Sequence, residues 1–259
     1  MAQDEAQRLH DGLRRSIADL LGCIDDAWIE DRAGYRLLMC PRIPVPALNG
    51  IWVEGPEDSL LSSQIETAID EYRKLGKPCS IAFRAGRTRS IERLARRLGF
   101  SSEESIPGMV VQHHELASIE DSELEITRAR QAVALDAAAT IAAAGFEAPR
   151  DDLAALFTPR VADLPGLSIY VGVVDDQPVS TATAWVGEGS VGVFNVATLP
   201  GHRGRGYGRA ITLRAIIEGF TSGANLAWLQ ASSTGEPVYR AMGFRQVETY
   251  LLLGEPSAA

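Results

Sequence analysis

The sequence predicts an α+β fold, a mixed and largely antiparallel sheet flanked by helices, and it predicts that fold twice over. Three observations carry this. Helical patterns are inserted between short apolar runs, an order typical of an α+β layer architecture. The stretch "LSIYVGVVDDQPVSTATAWVGEGSVGVFNVAT" holds three apolar runs broken by "DDQ" and "GEGS", which predicts a three-strand meander with tight turns. Finally, "LARRLGF" (Leu94 to Phe100) is echoed by "VYRAMGF" (Val238 to Phe244), with arginine, glycine and phenylalanine identical.

Taken in order, Leu9, Leu13, Ile17 and Leu20 recur at helical spacing and predict a helix from about Asp4 to Leu21. "YRLLMC" and "GIWVEG" read as strands around the proline-rich "PRIPVPALNG". A second helix, "LLSSQIETAIDEYRKLG", stops at Gly76, and "CSIAF" is a buried strand. "SIERLARRLGF" is a helix whose Gly99 suits a left-handed C-cap, and "GMVVQ" is a further strand. "HELASIEDSE" is polar and acidic and marks a domain boundary, giving domains at 1–117 and 118–259. The second domain opens with the strand "LEITRAR", an alanine-rich helix stopped at Gly145, and a shorter helix "DDLAALF". After the meander comes "TLPGHRGRGYGRA", then a helix with Ala210, Leu213, Ile217 and Phe220 on its apolar side. "NLAWLQAS", "EPVYRAMG" and "FRQVETYLLL" follow as strand, short helix and closing strand.

Global composition narrows the partners. The 259 residues are 46% hydrophobic and 23% charged, which is ordinary for a globular protein of one large domain or two small ones. A net charge of −9 argues against nucleic acid and anionic membranes, while leaving room for a local basic patch that holds a phosphorylated ligand. The N-terminus is charged throughout, and no run approaches the about eighteen apolar residues of a membrane span. Cys23, Cys40 and Cys79 are odd in number and lack CxxC spacing, so they read as buried or free thiols. His10 and His202 are isolated, and His113-His114 reads as a strand end and not as a metal site. The expectation is a cytoplasmic protein without metal, nucleic acid or membrane.

The glycine-arginine loop is the chemical feature. It is not a P-loop, because Gly201 and Gly206 lack the following lysine and hydroxyl. Nor is it a dinucleotide fingerprint, since its spacing is GxGxG and the strand before it belongs to a meander. Its physics still favours an anion. Gly204, Gly206 and Gly208 let the backbone approach a ligand and take positive φ. The helix behind the loop offers unpaired amides and the positive end of its dipole, and Arg203, Arg205 and Arg209 supply charge.

"RGRGYG", Arg203 to Gly208, resembles the acyl-CoA signature of the GCN5-related N-acetyltransferases. "VFNVAT" and "VYRAMGF" resemble that family's fourth strand and late helix, and the likeness covers about Leu124 to Leu253. The resemblance implies the acyl-CoA N-acyltransferase fold, acetyl-CoA as cosubstrate, and an amine of a small molecule or peptide as acceptor, attacked directly. It implies that the amides of Arg203, Gly204, Arg205, Gly206, Tyr207, Gly208 and Arg209 hold the pyrophosphate. It places Val196, Ala197 and Thr198 along the pantetheine arm, and Ser232 where the sheet opens to admit it. Tyr239 matches the tyrosine that donates a proton to the sulfur. The fourth-strand carboxylate of many members is missing: Asn195 stands there, able to hold a water or the acceptor but not to take a proton. Glu147 is then the candidate base, whereas Glu188 sits in a hairpin turn. That missing carboxylate keeps a second reading in play, a non-catalytic acyl-CoA-binding module.

The echo in the first half is worn. Ala95 stands where Tyr239 stands, and the acidic "EGPEDSLLSSQ" replaces the glycine loop. The first half is therefore expected to bind no coenzyme A and to serve as structure or as a wall of the acceptor pocket.

Overall fold

The computed structural model describes residues 2–54, 59–74, 76, 79–117 and 122–255. In chain order the first elements are α1 (Ala2–Leu21), β1 (Trp28–Arg32), β2 (Tyr35–Met39), β3 (Gly50–Val53), α2 (Ser59–Lys74), β4 (Ser80–Arg84), α3 (Arg89–Arg97) and β5 (Ser102–Gln112). They are followed by β6 (Glu125–Arg128), α4 (Ala132–Phe146), α5 (Arg150–Ala154), α6 (Pro159–Ala162), β7 (Leu167–Val174), β8 (Gln177–Gly187) and β9 (Ser190–Thr198). The last are α7 (Tyr207–Thr221), β10 (Leu226–Gln230), α8 (Glu236–Ala241) and β11 (Arg245–Gly254). No helix among the described residues is long and apolar enough to cross a membrane.

The chain forms two compact units, and a single cut does not separate them. The glycine-loop unit is Met1–Cys23 with Gly108–Val247, and the companion unit is Ile24–Pro107 with Glu248–Ala259. The boundary expected after residue 117 adjoins 118–121, which lie outside the described residues, as do 55–58 of the acidic stretch that faces the glycine loop in the echo.

Strand order explains the partition. In the companion unit β1, β2 and β3 form an antiparallel meander, β3 pairs parallel with β4, and β4 takes Tyr250–Gly254 of β11 as its antiparallel neighbour. In the glycine-loop unit β6, β7, β8 and β9 form the meander, β9 pairs parallel with β10, and β10 takes Gly108–Gln112 of β5. Each unit is thus completed by the strand that follows the other half's Gly-Phe pair. Those pairs are built alike. Gly99 and Gly243 both have φ +98, and in each the phenylalanine amide reaches back five residues, Phe100 to Ala95 and Phe244 to Tyr239. This double cap demands a left-handed residue that only glycine adopts without strain. The fold class read from the sequence is therefore present, with the closing strand "FRQVETYLLL" divided between the units.

Most elements form where the patterns place them. The meander turns at Asp175-Asp176 (φ 48 and 60) and Glu188-Gly189 (φ 52 and 71) are left-handed pairs, the geometry that matches strand twist. The sequence reading missed β1, whose residues are mostly exposed and charged, and α6, a single turn capped by the Thr158 hydroxyl. It also started β5 too late, because Ser102–Ile106 is largely solvent-facing.

In the companion unit, Ile65, Ile69 and Tyr72 of α2 and Ile91 and Leu94 of α3 pack with Ile51, Ile81 and Phe83 of the sheet. In the glycine-loop unit, Ile211, Ala215 and Ile216 of α7 pack on Val179, Ala182, Val191 and Val193. The opposite face of that sheet carries α1, whose Gly12 abuts Trp228, and α4.

Gly145 needs a correction. It does not stop α4, which continues to Phe146 and ends on Glu147 as a left-handed C-cap with φ 55. A Cβ on Gly145 would lie 2.6 Å from the Cβ of Ala197, so the glycine is there to let the helix lie against β9. Alanine is ordinarily the better helix former by about 1 kcal/mol. Here Gly145→Ala is expected to lower stability by about 1–3 kcal/mol through overpacking, read as a lower urea midpoint at unchanged slope. A raised midpoint would contradict the close approach.

Candidate functional site

The site begins with a fault in β9. Thr183 of β8 faces Phe194, but Thr181 faces Ala197, so Asn195 and Val196 together oppose Ala182. This is a β-bulge, and Asn195 holds the left-handed conformation it needs, with φ 53. One extra residue exchanges the faces of everything beyond it. Val191 and Val193 point to the α7 side; after the bulge Ala197 points to α4, and Thr198 meets Ser180 at 3.1 Å and lies beside Gly208.

Beside the bulge the sheet comes apart. The parallel ladder of β9 with β10 covers Ser190, Val191 and Gly192 and ends there. From Val193 to Thr198, β9 is paired with β8 alone, while Leu229 and Gln230 of β10 pair with β5. The result is an open seam in mid-sheet. One of its acceptors is in use: Thr198 O accepts Arg203 Nε at 3.3 Å, whereas Ala197 O faces β8 and accepts the Ser180 hydroxyl at 3.0 Å.

The glycine loop lies at the end of the seam. Gly204 and Gly206 have φ 77 and 80, and a Cβ at either would meet nothing within 4 Å. Their glycines therefore serve backbone conformation and leave the loop's outer side clear. Gly206 is the N-cap of α7, and the first intrahelical bond is Ala210 N–H to Gly206 O at 2.9 Å. The amides of Tyr207, Gly208 and Arg209 precede that bond and point out of the helix end.

The loop's large side chains divide. Tyr207 is buried, with its hydroxyl donated to Glu123, whose carboxylate pushes the phenol above its ordinary value. Arg205 and Arg209 line a cleft of about 300 Å³ together with Glu123, Tyr207 and Leu213. Arg203 turns the other way and donates Nη2 to Gly145 O at 2.9 Å.

Tyr239 of α8 is 9% exposed and packs in the same core as Phe244 and α7. Burial pushes its phenol up to about 12, offset in part by the nearby Thr212, whose hydroxyl donates to Gly208 O at 2.7 Å. A line of contacts therefore joins Tyr239 to the loop. Ser232 is exposed and accepts the Gly235 amide at 3.1 Å. Glu147 is exposed at the end of α4, near the Thr198 end of the seam through Gly145, and no described contact links it to Tyr239. Among the described residues no group of three or more His, Cys, Asp or Glu is placed to hold a metal ion.

Three partners escaped the sequence reading: Glu123, Thr212 and Ser180. A signal existed only for the first, since a tyrosine between two loop glycines needs a seat and its hydroxyl a partner.

The chain is similar to known proteins. Residues 165–246 match the acetyltransferase (GNAT) domain. Solved structures extend the likeness of fold to nearly the whole chain. A GCN5-related N-acetyltransferase from Kribbella flavida matches with TM-score 0.72 and 20% identity over 95% of each chain. One from Sphaerobacter thermophilus gives 0.61 and 17%, over 88% of this chain and 79% of that one. A tandem GNAT protein from the clavulanic acid biosynthesis pathway gives 0.62 and 10%, over 91% and 86%. No curated protein sequence matches the chain.

The Tyr239 environment generates a prediction. Its folded-state value is about 12, above the ordinary 10, so folding favours the protonated phenol. That contribution is complete below about pH 10 and is lost as pH rises towards 12. Absorbance titration near 295 nm should show Tyr239→Phe losing one phenol that ionises near pH 12. Loss of a phenol that ionises near 10 would mean that the hydroxyl is solvated.

Proposed function

We propose that the protein is an N-acetyltransferase that moves an acetyl group from acetyl-CoA to an amine of a small molecule or peptide by direct attack. The donor site is single and lies in the glycine-loop unit. The observation that carries this reading is the seam beside β9, open immediately before the glycine-capped start of α7. An unpaired strand edge suits the amide-bearing pantetheine arm, which can bond to backbone as a strand would. Val196, Ala197 and Thr198 line it, Ser232 stands at its mouth, and the amides from Gly204 to Arg209 receive the pyrophosphate at the helix N-terminus, whereas the Arg203 amide, expected among them, is donated to Pro200 O.

Tyr239 supplies a proton or its equivalent to the leaving thiolate. With a pKa of about 12 it stays neutral at working pH. A thiol of about 8.5–9 lies roughly three units lower, so complete transfer would be uphill by roughly 4 kcal/mol. The phenol therefore acts as a fixed hydrogen-bond donor to the developing charge, and solvent delivers the proton. On the acceptor side Asn195 orients the amine or a water, and Glu147 is the nearest carboxylate proposed as base.

The halves 1–117 and 118–259 are read as a duplication in which the first lost the site. Three features support this. Ala95 occupies the tyrosine position, β3 shows no bulge, and the β3–β4 ladder stays closed to Val53–Phe83.

A non-catalytic acyl-CoA binder is the second reading, favoured by Asn195 in place of a carboxylate and by the exposure of Glu147. Calorimetry with coenzyme A and turnover across a panel of amines separate the two. One site per chain is expected, and two equivalent sites would refute the single-site claim. Gly206→Val, strained at φ 80, should abolish binding in a folded protein. Tyr239→Phe should keep coenzyme A affinity and lower turnover about a hundredfold, the scale for one donor to developing charge. Binding with no turnover on any amine would favour the second reading.

A further inference from the structure

Arg203 is the first arginine of the loop motif, and a basic side chain beside a phosphate cradle is naturally assigned to the anion. The geometry points elsewhere. Its Nη2 donates to Gly145 O at 2.9 Å and its Nε to Thr198 O at 3.3 Å. Gly145 belongs to the last turn of α4, where carbonyls lack intrahelical partners and the helix dipole is negative. The neighbouring Ala143 O is already taken by the Glu147 and Ala148 amides. Arg203 therefore caps a helix 58 residues away in the chain, and its planar fork holds the end of β9 at the same time. Gly145 is also the point where α4 touches Ala197. Loop, strand end and helix end meet at this one guanidinium.

We propose that Arg203 is a positioning residue, not a phosphate ligand: it ties the glycine loop to the C-terminal end of α4, so that donor binding at the loop sets the Phe146–Glu147 segment. The tie itself stands on the contacts above; its link to the donor rests on the function proposed in the previous section. Phe146 is 49% exposed, and the segment's other ties, the Glu147 and Ala148 amides on Ala143 O and the Arg150–Asp136 ion pair, are all to α4 itself, so Arg203 is its link to the loop.

The test combines amide hydrogen exchange over residues 143–150 with coenzyme A titration at several salt concentrations. Without ligand, Arg203→Ala should speed exchange in that segment at least fivefold. Arg203→Lys should do the same, since an ammonium keeps the charge but cannot bridge two carbonyls. Coenzyme A should bind both variants within threefold of wild type and with the same salt slope. The slowing of exchange that it causes at 143–150 in wild type should be lost in both. Unchanged exchange in ligand-free Arg203→Ala overturns the tie. A tenfold weaker affinity with a shallower salt slope, restored by lysine, overturns the positioning role in favour of a phosphate contact. Wild-type protein that binds no coenzyme A overturns the donor reading, and the ligand-free exchange then decides the tie alone.

Discussion

A sheet that opens in its middle leaves backbone groups without a partner strand, and burial makes such groups costly. In the glycine-loop unit this constraint governs everything near β9. The bulge at Asn195 exchanges the faces of the strand, which delivers Ala197 to α4 and Thr198 to the loop. One acceptor on the open edge, Thr198 O, is taken by Arg203. The remaining edge is available to an extended ligand with amides of its own. On the function proposed above, loop, helix cap and tyrosine serve that edge together.

The companion unit shows the same plan with the edge closed. Its β3 pairs with β4 along its whole length, and Gly50 lies so close to Ser80 that a Cβ would come within 2.1 Å of the carbonyl oxygen. Tyr72 holds the other side of β3. Its buried hydroxyl lies 2.5 Å from Leu38 O and 3.0 Å from Gly50 O and accepts the Leu38 amide, while burial drives its pKa above the ordinary phenol value. A hydroxyl satisfied by backbone of both β2 and β3 fixes that pair of strands.

What the sequence made legible follows from where information is local. The meander turns, the cap glycines Gly99 and Gly243 and the loop glycines Gly204 and Gly206 each have positive φ that one or two residues announce, whereas Gly208, expected to share it, lies inside α7. The bulge was hidden because Asn195 takes the same conformation inside an apolar run with no glycine to mark it. Gly145 was misread because a glycine that ends a helix and one that lets a helix approach a strand are the same letter. Strand β1 was missed because its Glu30, Asp31 and Arg32 are charged and its partner is fixed by the hairpin, not by burial. The proposed site residues rest on resemblance, and their supports had no such signal: Glu123 and Thr212 act through contacts distant in sequence. The exchange of β5 and β11 was beyond any local signal, since an apolar run declares that it is a strand and says nothing of which neighbour it will choose.

That exchange has a consequence for synthesis. Domains usually fold as they leave the ribosome, the N-terminal one first. Here β4 is translated long before its neighbour in β11, so the companion unit waits with Ser80–Arg84 as an unprotected rim. The glycine-loop unit in turn needs α1, made before the companion segment, and must retrieve it after the intervening chain has emerged. It ends at Val247, so the companion unit is the last to be completed, and a nascent chain interrupted before Glu248 carries an adhesive edge that the finished protein conceals.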